Sequence, residues 1–152
     1  MDKKHLTSFL LKARTKTYAG NGGKVKPALK GSKQLEYKEK NWLYCDRYFT
    51  GNKIFIGIET VYFKSRPVWG MSYYGNFKKM TEYEVDSILR RALIEKWKIA
   101  RTWKTAKWKE GNYKYISVPN PRGSISEMSG TERIFKNRKE VYSFFYSGGM
   151  LA

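Results

Sequence analysis

The sequence predicts an α+β fold whose antiparallel sheets come from two pseudo-repeated β-meanders, each preceded by a helix. Three observations carry that prediction. Two stretches place apolar residues at helical spacing, each is followed by short aromatic and β-branched runs broken by turn residues, and the two halves can be laid over one another. With 152 residues, 41% apolar and 16% aromatic, the chain supports one hydrophobic core. A single domain over residues 1–152 is expected, with repeats of about 1–76 and 77–152.

The first helix is predicted over residues 2–17, where Leu6, Phe9, Leu10, Ala13 and Thr17 recur at spacings of three and four, and Lys3, Lys4, Lys12 and Lys16 stay off that stripe. It stops at YAGNGG, whose glycines are free to take positive φ. Residues Lys24 to Lys33 hold little to bury and read as a basic, mobile loop. LEYKEK, WLYCDRYF, KIFIGIETVYF and PVWGMSYYG then read as a meander, separated by KN, TGN and KSR. The second helix, TEYEVDSILRRALIEKW, opens with Thr81 and Glu84 at capping-box spacing and puts Val85, Ile88, Leu89, Ala92 and Leu93 on one face. Beyond Gly111 the strands return as YKYISV, SISEM, TERIF and EVYSFFY.

A shift of 73 residues pairs Gly57 with Gly130, Glu59 with Glu132, Val68 with Val141, Tyr73 with Tyr146 and Gly75 with Gly148. Upstream, a slightly different shift pairs EKNWLY with EGNYKY. A tandem duplication of a helix-plus-meander unit is the reading that follows.

If Ser65–Arg66 is the turn of the hairpin GIETVYFKSRPVWGMSYYG, Phe63 faces Val68, Val61 faces Gly70 and Glu59 faces Ser72. Ile58, Tyr62, Trp69, Met71 and Tyr73 then form the core face, and Glu59 lies on the opposite face beside small neighbours. Glu132 sits in the same way near Ser143. Glu59, Ser72, Tyr74, Glu132 and Ser143 therefore outline a candidate pocket. The two glutamates have two readings: a pair facing across a pseudo-dyad that binds a cation or shares a proton, or, the stronger one, separate structural partners of arginine. Asp46, in YCDRYF, is a third acid on a strand and carries the same two readings.

The chain has 31 Lys+Arg against 13 Asp+Glu, a formal net charge of +18, which attracts polyanions. Nucleic acid, RNA or DNA without sequence preference, is one expected partner; a merely solvating surface is the competing account. In EKWKIARTWKTAKWKEG, Trp97, Lys98, Arg101, Lys104, Lys107 and Trp108 interleave indoles with cations, the combination that holds single strands. The opposing account makes the tryptophans core anchors under a lysine fringe. No membrane span and no signal peptide is legible, and the single Cys45 cannot form an internal disulfide, so a cytoplasmic protein is expected.

With His5 alone, histidine-based nucleophilic catalysis and His/Cys zinc sites have no material, and GNGGKVKP lacks P-loop spacing. No cofactor or metal is expected. The chemistry left to Lys, Arg, Tyr and Glu is that of a small basic ribonuclease, with Glu59, Glu132, Tyr73, Tyr146 and Arg122 as candidates. A non-enzymatic binding domain is the preferred expectation, and the nuclease is its alternative.

The motifs TYAG, GSKQLEY, FIGIETVYFKSRPVWGMSYYG and SGTERIFKNRKEVYSFFYSGG together resemble a bacterial and archaeal family known as a domain of unknown function, DUF5680. PVWGMSYYG is the most specific piece, with Ser72 where the family typically shows Asn. Members occur alone or behind a helix-turn-helix domain, so the resemblance implies a sensing or interaction module beside a transcriptional regulator. It carries no catalytic residues. WKIARTWKTAKWK and the high basicity depart from the family pattern.

Overall fold

Asp2 and Thr81 start the two helices, each by accepting backbone N–H groups that the first turn leaves free. The computed structural model describes residues 1–151. Helix α1 runs Lys3–Lys16 and buries Leu6, Phe9, Leu10 and Ala13. Helix α2 runs Glu82–Glu95 and buries Val85, Ile88, Leu89, Ala92 and Leu93, with the predicted capping box formed between Thr81 and Glu84. Tyr113 and Lys136 also donate to Glu84, which fixes the start of α2 to the sheet.

The strands are β1 (Lys24–Val25), β2 (Lys33–Glu39), β3 (Trp42–Gly51), β4 (Ile54–Phe63), β5 (Arg66–Asn76), β6 (Ala106–Glu110), β7 (Tyr113–Pro119), β8 (Glu127–Lys136) and β9 (Lys139–Met150). They form one nine-stranded sheet in the order β1-β2-β3-β4-β5-β9-β8-β7-β6, antiparallel throughout. The α+β class and the antiparallel pairing are as expected; the several sheets expected from sequence are a single one, because β5 and β9 pair along their length. Two further elements depart from the sequence reading. Lys24–Val25, read as part of a loop, pairs with β2, and SISEM and TERIF belong largely to one strand, β8. Gly130, which looked like a break between them, lies mid-strand beneath the ring of Tyr146: an added Cβ would come 2.6 Å from Tyr146 Cζ.

The hairpin turns explain a more consequential correction. Lys64 and Ser65 carry φ of 48° and 64°, the pair of positive values that a two-residue turn needs to match strand twist. The turn is therefore Lys64–Ser65 rather than Ser65–Arg66, and a bulge between Val61 and Tyr62 shifts the register again. Val61 meets Trp69 and Glu59 meets Met71, not Gly70 and Ser72. A slip of one residue exchanges the two faces of a strand. Glu59 thus belongs to the buried face with Val61, Trp69, Met71 and Tyr73, whereas Ile58 is exposed.

Both helices pack on that inner face, around Tyr44, Trp69, Met71, Tyr115, Tyr142 and Phe144. The outer face carries a row of exposed apolar side chains, Ile56, Tyr74 and Phe145, in direct register across β4, β5 and β9. Among the described residues no helix is long and apolar enough to cross a membrane.

Candidate functional site

The acids of the inner face are the natural start, because an ionised carboxylate inside a core needs a counter-charge and a full set of donors. Glu132, in β8, is fully buried and receives a two-pronged guanidinium: Arg101 Nε to Oε2 at 3.0 Å and Nη2 to Oε1 at 2.9 Å. The hydroxyls of Tyr142, at 2.7 Å, and Tyr115 complete its shell. Glu59, in β4, is held by Arg14 through Nε at 3.0 Å and Nη2 at 2.6 Å. Arg14 Nη1 then donates to the backbone carbonyl of Arg101 at 2.8 Å, which joins the two pairs.

Glu59 and Glu132 do not face each other. Their strands are separated by β5 and β9, three inter-strand steps or roughly 14 Å across the sheet. Each ends in its own arginine, so the structural reading of these acids is the one the geometry takes: both oxygens of Glu132 are occupied, and Arg14 takes Oε2 of Glu59 with two N–H groups.

Asp46, in β3, is different. It lies directly opposite Glu59 in the β3–β4 ladder and is only 6% exposed, yet no arginine or lysine pairs with it. Tyr73 donates its hydroxyl to Oδ1 at 2.6 Å. Among the described residues Oδ2 has no hydrogen-bond partner, and it is not sealed from solvent either. Burial first, and then the charge of Glu59, push the Asp46 carboxyl up to about 7. Burial and Asp46 in turn hold the Tyr73 phenol well above its ordinary range.

Asp46 lines a cavity of about 530 Å³ between the inner face, α2 and residues 18–35. Phe55, Phe77, Phe144, Val85 and Leu89 supply apolar walls. Tyr73 and Phe144 stack with ring centroids 5.1 Å apart, and Phe55 and Tyr142 at 6.0 Å. Arg101 also reaches the cavity, its guanidinium carbon 4.3 Å from the centre of the Phe144 ring. Its Nη1 makes no hydrogen bond among the described residues. At the rim, Tyr18 donates to Asp86 at 3.0 Å, while Arg90 Nη1 donates to the Tyr18 carbonyl at 2.9 Å and lies over its ring. The mouth is thus stitched from the end of α1 to α2.

The residues singled out from sequence scatter over this architecture. Of the pocket set, Glu59 and Glu132 are in the core, while Ser72 and Tyr74 point to the outer face. Ser143 opposes Arg133 and Asn76 rather than Glu132 and accepts from the Asn76 amide at 3.0 Å. The basic-aromatic run is divided in the same way. Helix α2 ends at Glu95, so no continuous helical stripe joins Arg90 to Trp108. Arg101 is committed to Glu132, and Trp108 packs half-buried against the core from the edge strand β6. Trp97, Lys98, Lys104 and Lys107 remain exposed, and Lys98 Nζ sits 5.4 Å from the Trp97 ring centre. Arg122 is exposed in the turn after β7, far in register from either glutamate.

Sequence reasoning noticed Asp46 and missed the rest of the cavity. The 71-residue relation of EKNWLY to EGNYKY, extended by two residues from Tyr44 and Tyr115, puts Asp46 against Ser117. A buried acid in one half with a neutral residue in the other was the available signal.

Residues 46–151 match the model of the family described as Domain of unknown function (DUF5680), so the chain belongs to that family. The match begins at Asp46 and leaves α1, β1 and β2 outside it. No curated protein and no solved structure matches the chain.

Proposed function

We propose that this chain is a non-enzymatic sensing module that binds a small molecule in the cavity over Asp46. The observation that carries this reading is a carboxylate 6% exposed, with one oxygen unsatisfied by the protein, at the wall of an aromatic cavity of about 530 Å³. Ligand sites are of that size and composition, apolar walls with a few converging polar groups. Buried acids displaced toward neutrality also gather at functional sites. A ligand there would touch α2 and residues 18–35 together, and so could pass its presence to a helix-turn-helix regulator or another partner.

The test is a fragment screen followed by ¹H–¹⁵N NMR of the wild type and of Thr50→Trp, which fills the cavity from an exposed lining position. Hits that shift Phe55, Leu89 and Tyr142 and disappear in the variant support the reading. A screen at millimolar concentration in which nothing perturbs those residues overturns it.

The sheet is also best understood, we infer, as a duplicated unit. Arg14–Glu59 and Arg101–Glu132 are comparable pairs, and Gly57 lies under Tyr73 as Gly130 lies under Tyr146. Tyr73 and Tyr146 stand directly opposite one another between β5 and β9, where a pseudo-two-fold axis would pass. On this reading Asp46 is the polar group that one half kept for a ligand.

Contact with nucleic acid remains a second reading, supported by the exposed Trp97–Lys98 pair with Lys104 and Lys107 nearby in sequence. Retention of labelled single strands that falls steeply with salt, and falls further in Trp97→Ala, would favour it. Retention unaffected by Trp97→Ala would leave only non-specific charge.

A further inference from the structure

We infer that the ligand of this cavity is a planar aromatic or heteroaromatic molecule presenting N–H donors, amidine- or aminopyridine-like, to the Asp46 carboxylate. The inference rests on the sensing-module reading and narrows it to one chemical class.

Three features of the cavity select that class. When Asp46 is ionised, its Oδ2 is an acceptor that no side chain or backbone group occupies, so a ligand atom meeting the carboxylate must be a donor. A hydrogen bond to a charged group in a shielded place is among the stronger ones, and a second N–H on the same ligand carbon would engage the carboxylate as a guanidinium does. The walls are aromatic: Phe55 with Tyr142 and Tyr73 with Phe144 are stacked pairs, tilted against each other across Phe55, and their ring faces favour a planar partner over a bulky aliphatic one.

The local charge balance points the same way against the field of the whole protein. Around the buried cluster, Arg14 answers Glu59 and Arg101 answers Glu132, which leaves the Asp46 charge without a counter-ion. A chain of net charge +18 repels cations in general, so a cation that binds here must be recognised locally. An anionic ring would have to turn its charge away from Asp46, toward Lys24, Lys33 or Arg90 of the lining or toward Arg101, whose free Nη1 belongs to a guanidinium already paired with Glu132. That Nη1 suits a neutral acceptor on the ligand, such as a ring nitrogen or carbonyl.

Protonation of Asp46 would remove the charge the ligand needs. The groups facing Asp46 are Glu59 from β4, Tyr73 from β5, Arg14 from α1 and Arg101 from the segment after α2. Both arginines stay charged, and Asp46 itself titrates near 7. The ionised fraction then changes about 10-fold between pH 8 and pH 6, and the affinity for a permanent cation should follow it. His5 lies at the exposed start of α1 and does not line the cavity, and Asp46→Asn isolates the contribution of Asp46.

Benzamidine, benzamide and benzoate are nearly isosteric and differ in charge and donors, which makes them suitable probes. Their dissociation constants are measured by NMR titration on the full chain, wild type and Asp46→Asn, at pH 6 and pH 8. The expected order is benzamidine tightest and benzoate weakest, with benzamidine weakening about 10-fold from pH 8 to pH 6. In Asp46→Asn the preference for benzamidine over benzamide should collapse and the pH effect should vanish, while melting temperature confirms that the variant is folded. The three-probe order on the wild type stands as a test even if that variant does not fold. Benzoate binding at the cavity more tightly than benzamidine overturns this inference and leaves the sensing reading intact. Absence of any shift at lining residues, from these probes and from a wider fragment set, overturns both.

Discussion

Replacing Arg101 by Met should be among the most damaging single changes in the protein. Glu132 is fully buried, the Arg101 side chain is 12% exposed, and the two share a two-pronged ion pair. Removing one partner of a buried pair leaves the other charged and desolvated, which costs about 3–5 kcal/mol. Tyr115 and Tyr142 still donate to the carboxylate, so the lower half of that range is expected. For a chain of this size about 3–4 kcal/mol corresponds to a melting temperature lowered by roughly 6–16 °C. Urea and thermal unfolding at pH 7 measure it. Adding Glu132→Gln removes the second charge but keeps an acceptor for a tyrosine, so the double variant should recover at least half of the loss. An Arg101→Met protein within about 1 kcal/mol of wild type, or a double variant worse than the single by the full value again, would refute the reasoning from charge burial.

Other substitutions test separate links. Thr81→Ala removes the hydroxyl that accepts Glu84 N–H and should cost about 1 kcal/mol in chemical unfolding. Lys136 first, then the Thr81 backbone N–H and Tyr113, hold Glu84 down to about 2, so its stabilisation is present above the unfolded value of 4.5 and lost as pH falls toward 2. The deficit of Glu84→Gln should accordingly shrink between pH 5 and pH 2. Gly130→Ala would drive a Cβ to 2.6 Å from Tyr146 Cζ and 2.8 Å from the Val118 carbonyl, and a loss of about 1–3 kcal/mol is expected, read from the urea midpoint. Asp46→Asn should stabilise the protein above neutrality. The wild-type carboxyl titrates at 3.8 unfolded and about 7 folded, so its stability contribution is intact below pH 4 and declines as pH rises to 7. The variant's relative gain should grow over that window to a plateau of up to roughly 4 kcal/mol.

Helices were the most legible part of the fold, because capping and burial there depend on local spacing. Thr81 with Glu84, and the Val85–Leu93 stripe, are visible without any tertiary knowledge, and both form as read. Strand positions were nearly as clear, but which way a strand faces depends on its turn. Lys64–Ser65 in place of Ser65–Arg66, with a bulge after it, was enough to move Glu59 from an outer face to the core. The short β6 was hidden in a lysine-rich run because an edge strand is kept soluble by lysines such as Lys107 and Lys109, which imitate an interaction surface. The cavity was the least legible, since Tyr18, Gln34, Asp46, Phe55, Arg90 and Phe144 come from six separate segments. Only the chain's path brings them together. Asp46 carried only a local sign, a strand acid with no cation at alternating positions, and Glu59 shares that sign although Arg14 answers it from α1.

A direct test of the whole account is the titration of the Asp46 carboxyl by ¹³C NMR in the ligand-free protein. A midpoint near 7, accompanied by shifts in the Tyr73 ring, is predicted from a buried acid that lacks a counter-charge and opens on the cavity. A midpoint below about 4, the ordinary carboxylate value, would mean that Asp46 is solvated or paired after all, and the site proposed around it would go with it.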